Sequence, residues 1–170
     1  AVAEIGLPAV LKTRRMGYDG KGQYVLRGSA DIPLAWSALG VSALILDGFI
    51  RFERVVSIIA VRSRSGELAF YPLSENTHDA GILKLSLSRA KDPMQAEAEA
   101  YARRVLEALD YVGTLGFEFF VTADSLIANE IAPRVHNTGH WTIEGAVCSQ
   151  FENHLRAILD LPLGSTALRG

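Results

Sequence analysis

The sequence predicts an α+β domain, with antiparallel sheets and flanking helices. Three observations lead there: apolar stretches that turn back across short polar breaks, three helical segments placed among them, and no regular βαβ alternation. The chain can bury a core, since 49% of its 170 residues are hydrophobic and only 21% are charged. Its 17 basic and 19 acidic side chains leave a net charge of −2. That balance lacks the electrostatic footprint needed to wrap nucleic acid or lie on anionic lipid. A single cysteine, Cys148, can build neither an internal disulfide nor a multi-cysteine zinc site, and it fits a reducing, cytoplasmic compartment. The longest apolar run, 41–50, is too short to span a membrane and is interrupted by Ser42, Asp47 and Gly48. No basic segment followed by an apolar stretch marks a signal peptide. The expectation is a cytoplasmic enzyme domain or small-molecule-binding domain, with no nucleic-acid and no membrane partner.

Each element has its own reason. Residues 7–12 read as a strand that Pro8 opens and Ala9, Val10 and Leu11 continue. The polar, glycine-rich stretch 14–23 follows, and Tyr24-Val25-Leu26 resumes strand character, which predicts a hairpin with a mobile tip. Asp31 is placed to cap a short helix that tolerates Pro33 in its first turn. Residues 43–46 form another apolar strand. The run 55–64 (VVSIIAVRSR) turns at Ser65-Gly66 and pairs back with 67–73. Residues 92–110 give the clearest helix: Asp92 as N-cap, Pro93 at the first helical position, and Ala98, Tyr101, Val105 and Leu109 on one buried face. A hairpin of 114–122 and 126–131 turns at Ala123-Asp124-Ser125. The polar loop 132–140 then leads to a last helix, 150–159, opened by a capping box of Ser149 and Glu152.

Four groups of residues could carry chemistry. In Gly17-Tyr18-Asp19-Gly20-Lys21-Gly22-Gln23, three glycines free the backbone N–H groups to approach a phosphate chain, and Lys21 adds charge. It is not a Walker A loop, because no Ser or Thr follows a Gly-Lys pair; a strand, not a helix, follows it, so it is not a dinucleotide fingerprint either. It is a phosphate cradle or a plain hairpin tip. Lys12, ending the preceding strand, points at the same phosphates or into solvent. Glu118, inside the aromatic strand Phe117–Phe120, needs a cation or donor if buried. With Glu130 on the partner strand and Asn129 beside it, the pair makes either a hard-oxygen Mg²⁺ site completed by nucleotide phosphates or a solvent-facing pair. In the loop 133–141, Arg134 can clamp a phosphate or carboxylate, and His136, Asn137 and His140 supply donors. Gly139 and the absence of an intervening Glu argue against a zinc helix. His78 reaches a phosphate or ribose hydroxyl, or sits in a capped turn. Cys148 is read as a buried spacer, without a basic partner.

Together, Lys12, GYDGKGQ, LILDGFIRFERVVS, ENTH, GFEFF and NEIAPRVHNTGHWT resemble, in order, the ATP-grasp superfamily. GYDGKGQ and NE-APR-HN-GHWT are most similar to the 5-(carboxyamino)imidazole ribonucleotide synthetase family, the ATPase subunit of phosphoribosylaminoimidazole carboxylase in purine biosynthesis. The resemblance runs from Leu7 to the QFENHLRAILDLPLG segment. It implies an ADP-forming carbon–nitrogen ligase acting on ATP, bicarbonate and aminoimidazole ribonucleotide through carboxyphosphate. By it, Lys12 and the Gly17, Tyr18, Asp19, Gly20, Lys21, Gly22, Gln23 loop contact ATP phosphates. Asp47, Gly48, Phe49 and Ile50 form an interlobe hinge carrying the adenine, and His78 helps hold the nucleotide. Glu118 and Glu130 bind Mg²⁺ (or Mn²⁺) with Asn129 in support, while Arg134, His136, Asn137 and His140 face bicarbonate and the ribonucleotide.

The chain departs from the family pattern at three places: Asp47 stands for a Glu, Val55 for a Glu that would bind the ribose hydroxyls, and Arg89-Ala90 for Pro-Ala. Family chains are also roughly twice this long. The resemblance therefore implies an incomplete small lobe over 1–46 and a large lobe over 47–170, with the family's N-terminal and C-terminal domains absent, little turnover by the fragment alone, and a homodimer in the full-length protein. Two other readings stay open. One is a sister ligase of the glycinamide ribonucleotide transformylase or biotin carboxylase type; the other is a non-catalytic nucleotide-binding module.

Overall fold

The computed structural model describes residues 1–17, 21–40, 43–79, 81–123 and 125–169. Tyr18, Asp19 and Gly20 of the glycine-rich loop, and Asp124 of the predicted turn, lie outside the described residues. The chain forms two compact units, Ala1–Arg51 with His78–Ile82, and Phe52–Thr77 with Leu83–Gly170. The division falls after Arg51 and not after residue 46, because the third strand keeps Asp47 and Gly48 paired within the first unit.

The first unit contains helix α1 (Val2–Ile5), strands β1 (Ala9–Thr13) and β2 (Gln23–Leu26), helix α2 (Asp31–Leu39) and strand β3 (Leu44–Gly48). Its antiparallel sheet has the order β2-β1-β3, with Lys12 opposite Gln23 on one side and Ile45 on the other. The predicted hairpin is present. Asp31, however, does not cap α2. Its carboxylate reaches back to accept from the Arg27 and Gly28 N–H groups at 2.7 and 3.0 Å, which hold its carboxyl below the usual carboxylate range. The N-cap is Ala30, which has no side-chain oxygen to offer.

The larger sheet is ordered β7-β6-β4-β8-β9, from β4 (Arg54–Arg62), β6 (Ser74–Asp79), β7 (Ile82–Ser88), β8 (Gly113–Val121) and β9 (Leu126–Ala132), with β5 (Leu68–Phe70) paired to β4. Alternation divides β4 and β8 into two faces. Val56, Ile58 and Ala60 join Leu115, Phe117, Phe119 and Val121 against Ala98, Ala102 and Leu106 of helix α3 (Gln95–Ala108). Each fully buried large side chain here contributes about 1.5–3 kcal/mol. On the other face, Ile59 and Val61 pack with Tyr71, Ala146 and Ala157, the last from helix α5 (Gln150–Ile158). Beyond them, that face carries the polar residues Ser57 and Glu118 beside apolar Val55 and Phe120. Ser57 lies opposite Glu118, and Asn76 donates to Ser57 Oγ at 2.6 Å.

Two strand predictions and one helix boundary need correction. SENTHD is strand β6, not a turn after one, because its polar side chains are satisfied on the sheet face: Ser74 accepts from Trp141 Nε1 at 2.8 Å, and Asn76 also accepts from Ser86 of β7. Strand β7 itself was not anticipated. Helix α3 begins at Gln95, because the Asp92 carboxylate is taken by Arg54 (Nη2 to Oδ1, 2.9 Å) and by the Met94 N–H at 2.9 Å. Its buried face is Ala98, Ala102 and Leu106, with Tyr101 and Val105 at the edge and Leu109 exposed.

The Asp92 side chain is only 3% exposed, and the Arg54 guanidinium holds its carboxyl below the usual carboxylate range. A carboxylate so depressed stabilises the fold above its unfolded pKa of about 3.9, and that contribution is lost as pH falls through the lower folded value. Asp92→Ala is expected to cost about 2–4 kcal/mol at pH 7, because it leaves Arg54 half-buried without its main partner. Urea unfolding at pH 7 and again below pH 3 would check this; a cost of the same size at both pH values would refute it.

Candidate active site

The predicted hairpin β8–β9 carries Glu118 opposite Glu130. Sequence alternation alone would put Asn129 and Glu130 on opposite faces of β9. The register instead slips between Glu118 and Phe119: Phe119 pairs with Ala128, so Asn129 is the extra residue of a β-bulge. The bulge brings Asn129 and Glu130 both to Glu118. Asn129 Nδ2 donates to Glu118 Oε1 at 2.7 Å. Glu118 is 7% exposed, whereas the Glu130 side chain is largely in solvent.

The loop after β9 closes over this pair. His136 is buried, with Nε2 3.6 Å from Glu130 Oε1 and Nδ1 2.9 Å from Thr138 Oγ1. It lies directly on Gly116 of β8, where a Cβ would stand 2.6 Å from His136 Cβ and 2.7 Å from its Cγ. Only a residue without a Cβ lets the loop come this close. Arg134, Asn137 and His140 are exposed on the same loop. A 3-10 turn over Asn137–Gly139 and a short helix α4 (Thr142–Gly145) replace the plain loop that the sequence suggested.

Glu118, Asn129, Glu130 and His136 are therefore brought together, while Arg134, Asn137 and His140 line the exposed side of the same segment. In the first unit, Lys12 Nζ and Asp47 Oδ2 are ion-paired at 2.8 Å, joining two residues expected to serve opposite ends of a nucleotide. Both are part exposed, and such a pair contributes about 0–1 kcal/mol, so Lys12 can exchange it for phosphate at little cost. Gly17, Lys21, Gly22 and Gln23 border the glycine-rich loop, and Gly22, at φ 72°, accepts from the Thr13 N–H at 2.7 Å. Gly48 ends β3, and Phe49 N donates to Pro8 O at 3.4 Å, followed by half-buried Ile50. His78 lies exposed near the end of β6. Val55 is buried between Asn76 and Phe120 and has no oxygen to offer a ribose. Cys148 is buried, which pushes its thiol up and leaves it a spacer.

Sequence reading missed Gly116, Thr138 and Gln150, each of which places His136. The only signal for them was a glycine and small or polar residues at strand and helix ends. Among the described residues, no three His, Cys, Asp or Glu side chains are arranged so as to hold a metal ion by themselves. A divalent cation at Glu118 and Glu130 would therefore need oxygens from a ligand, and two facing carboxylates fit that donor set. Among the described residues, no helix is long and apolar enough to cross a membrane.

Known proteins resemble this chain along its whole length. A protein of Pseudomonas aeruginosa called N5-carboxyaminoimidazole ribonucleotide synthase is 65% identical over all of this chain, which covers 47% of it. A crystal structure of N5-carboxyaminoimidazole ribonucleotide synthetase from Thermus thermophilus superposes with a TM-score of 0.90 at 57% identity, over 99% of this chain and 46% of that one. The synthase of Aspergillus clavatus, solved with ADP and 5-aminoimidazole ribonucleotide, gives 0.88 at 34% identity, over 97% and 43%. The chain thus spans about half the length of these relatives. The ATP-grasp domain model matches residues 1–151, and with the antiparallel sheets and facing carboxylates described above, the chain belongs to the ATP-grasp family.

Proposed function

We propose that this chain is the ATP-grasp portion of an N5-carboxyaminoimidazole ribonucleotide synthase, acting in the cytoplasm in purine biosynthesis. The observation that carries the reading is the bulged β8–β9 pair, which sets Asn129 and Glu130 on Glu118 beneath the Arg134–His140 loop. The similar proteins named above support it, one of them through its ADP and 5-aminoimidazole ribonucleotide complex.

In this reading, bicarbonate oxygen attacks the γ-phosphorus of ATP, the bond to the β-phosphate oxygen breaks, and carboxyphosphate and ADP form. The amine of aminoimidazole ribonucleotide then takes the carboxyl carbon, phosphate leaves, and the amine proton is lost. Lys12 and the loop from Gly17 through Tyr18, Asp19, Gly20, Lys21 and Gly22 to Gln23 hold the phosphates, since close backbone N–H groups and an ammonium neutralise charge on the transferred group. Asp47, Gly48, Phe49 and Ile50 hold the adenine, and His78 contacts the nucleotide. Glu118 and Glu130 would hold Mg²⁺, or Mn²⁺, with Asn129 fixing the Glu118 carboxylate; the cation supplies charge neutralisation to the phosphoryl oxygens. Arg134 offers a bidentate fork to bicarbonate or the ribonucleotide phosphate, and Asn137 and His140 add donors beside it. His136, with one ring nitrogen on Thr138 and the other toward Glu130, orders the carboxylate and the loop. The whole protein is a homodimer in this reading.

ADP release by the full-length protein tests the reaction. With ATP and bicarbonate present, release is expected to rise at least tenfold on adding aminoimidazole ribonucleotide, and not with glycinamide ribonucleotide and formate, or with biotin. A larger response to either of those would reject the proposal in favour of a sister ligase.

A further inference from the structure

We infer that Gln150 is a positioning residue for this site, acting through the backbone of His136; the inference rests on the function proposed above. Gln150 is the first residue of α5 and is fully buried. Its Oε1 accepts from the His136 N–H at 3.0 Å, and its Nε2 donates to the His136 carbonyl at 2.7 Å. One side chain thus occupies both main-chain groups of a single loop residue, as a neighbouring strand would. Its own N–H donates to Thr142 Oγ1 at 3.0 Å, and that hydroxyl donates to the Gly139 carbonyl at 2.6 Å. A Cβ at Gly139 would stand 2.8 Å from Gln150 Cδ and Oε1, so the glycine of the loop leaves room for the amide.

The α5 terminus therefore ties the segment directly at two points, His136 and Thr142, and Thr142 in turn holds the Gly139 carbonyl. His136 is fixed by its backbone on Gln150 and by its ring on Thr138, and from that anchor its Nε2 reaches Glu130. Arg134, Asn137 and His140 flank the same anchor. Reacting groups misplaced by about 1 Å lose on the order of a hundredfold in rate, so an anchor of this kind governs turnover without touching substrate.

Gln150→Met keeps length and volume but offers neither donor nor acceptor. Gln150→Glu restores both when protonated, through its carbonyl and O–H, and loses the donor when ionised. The measurements are the His136 imidazole signals in histidine-selective NMR of this chain, and kcat and KM for ATP of the full-length protein with bicarbonate and aminoimidazole ribonucleotide. For Gln150→Met, the His136 signals are expected to shift or double and kcat to fall at least tenfold, with KM for ATP within twofold. Gln150→Glu is expected to regain both at low pH and lose them as its carboxyl ionises. A folded Gln150→Met protein with native His136 signals or native kcat overturns the inference. If that variant does not fold, native His136 signals on both sides of the Gln150→Glu titration overturn it. Unsubstituted protein that forms no ADP refutes the functional reading instead, and the His136 signals still decide whether Gln150 sets that residue.

Discussion

Glu118→Gln is expected to weaken Mg·ATP binding at least tenfold while leaving the melting temperature within a few degrees. The amide keeps an oxygen where Glu118 Oε1 accepts from Asn129 Nδ2, so the bulge retains its hydrogen bond. What disappears is one of two formal charges facing each other across the register. A hard cation loses a charged ligand, whereas the side chain keeps its size and its bond to Asn129. Glu130→Gln should act in the same direction with an even smaller effect on stability, since Glu130 is largely solvated. Calorimetric titration with ATP, with and without Mg²⁺, separates the cation's share from the nucleotide's. Equal Mg²⁺ dependence in both variants and the unsubstituted chain would mean that the pair is not the cation site.

Gly116→Ala should produce the second large effect, now on the fold as well as the site. The added methyl would lie 2.6 Å from His136 Cβ, an atom without rotamer freedom, so the loop itself must lift. Overpacking of this kind costs about 1–3 kcal/mol. At about 2–4 °C per kcal/mol for a domain of this size, the melting temperature falls by roughly 2–12 °C. Gly28→Ala is the matched control, since a Cβ there meets nothing within 4 Å. Calorimetric melting of the two variants decides the matter: equal melting temperatures would show that the loop yields freely and that Gly116 is not needed for the approach of His136.

Where the sequence was legible, the signals were local. The Ser149 cap of α5 is present, with its Oγ accepting from the Glu152 N–H at 3.1 Å; only the return arm differs, because the Glu152 carboxylate pairs with Arg156. The β8–β9 hairpin followed from its apolar strands and polar turn, but the facing of Glu118 and Glu130 depends on the slip in register between Glu118 and Phe119. What alternation could not reveal is a bulge, since one inserted residue leaves composition unchanged and reverses the face of everything beyond it. The roles of Asp31 and Asp92 were misread for a related reason. A carboxylate before a helix reads as its cap, yet backbone donors at Arg27 and Gly28, and a guanidinium arriving from Arg54, competed for these two and won. Strand β6 was hidden because Ser74 and Asn76, which read as turn residues, are buried and bonded to Trp141, Ser57 and Ser86 of other elements.

The tie between Gln150 and His136 also dictates an order of manufacture. A chain emerging from the ribosome exposes β8, β9 and the His136 segment before α5 exists, and until residue 150 is out, the His136 N–H lacks the acceptor, and its carbonyl the second donor beside the Gly139 N–H, that Gln150 later supplies. The sheet can pair early, but the loop over it gains its Gln150 anchor only when α5 docks. In the function proposed above, the two carboxylates are thus held by the sheet before the groups of the following loop can be aimed beside them.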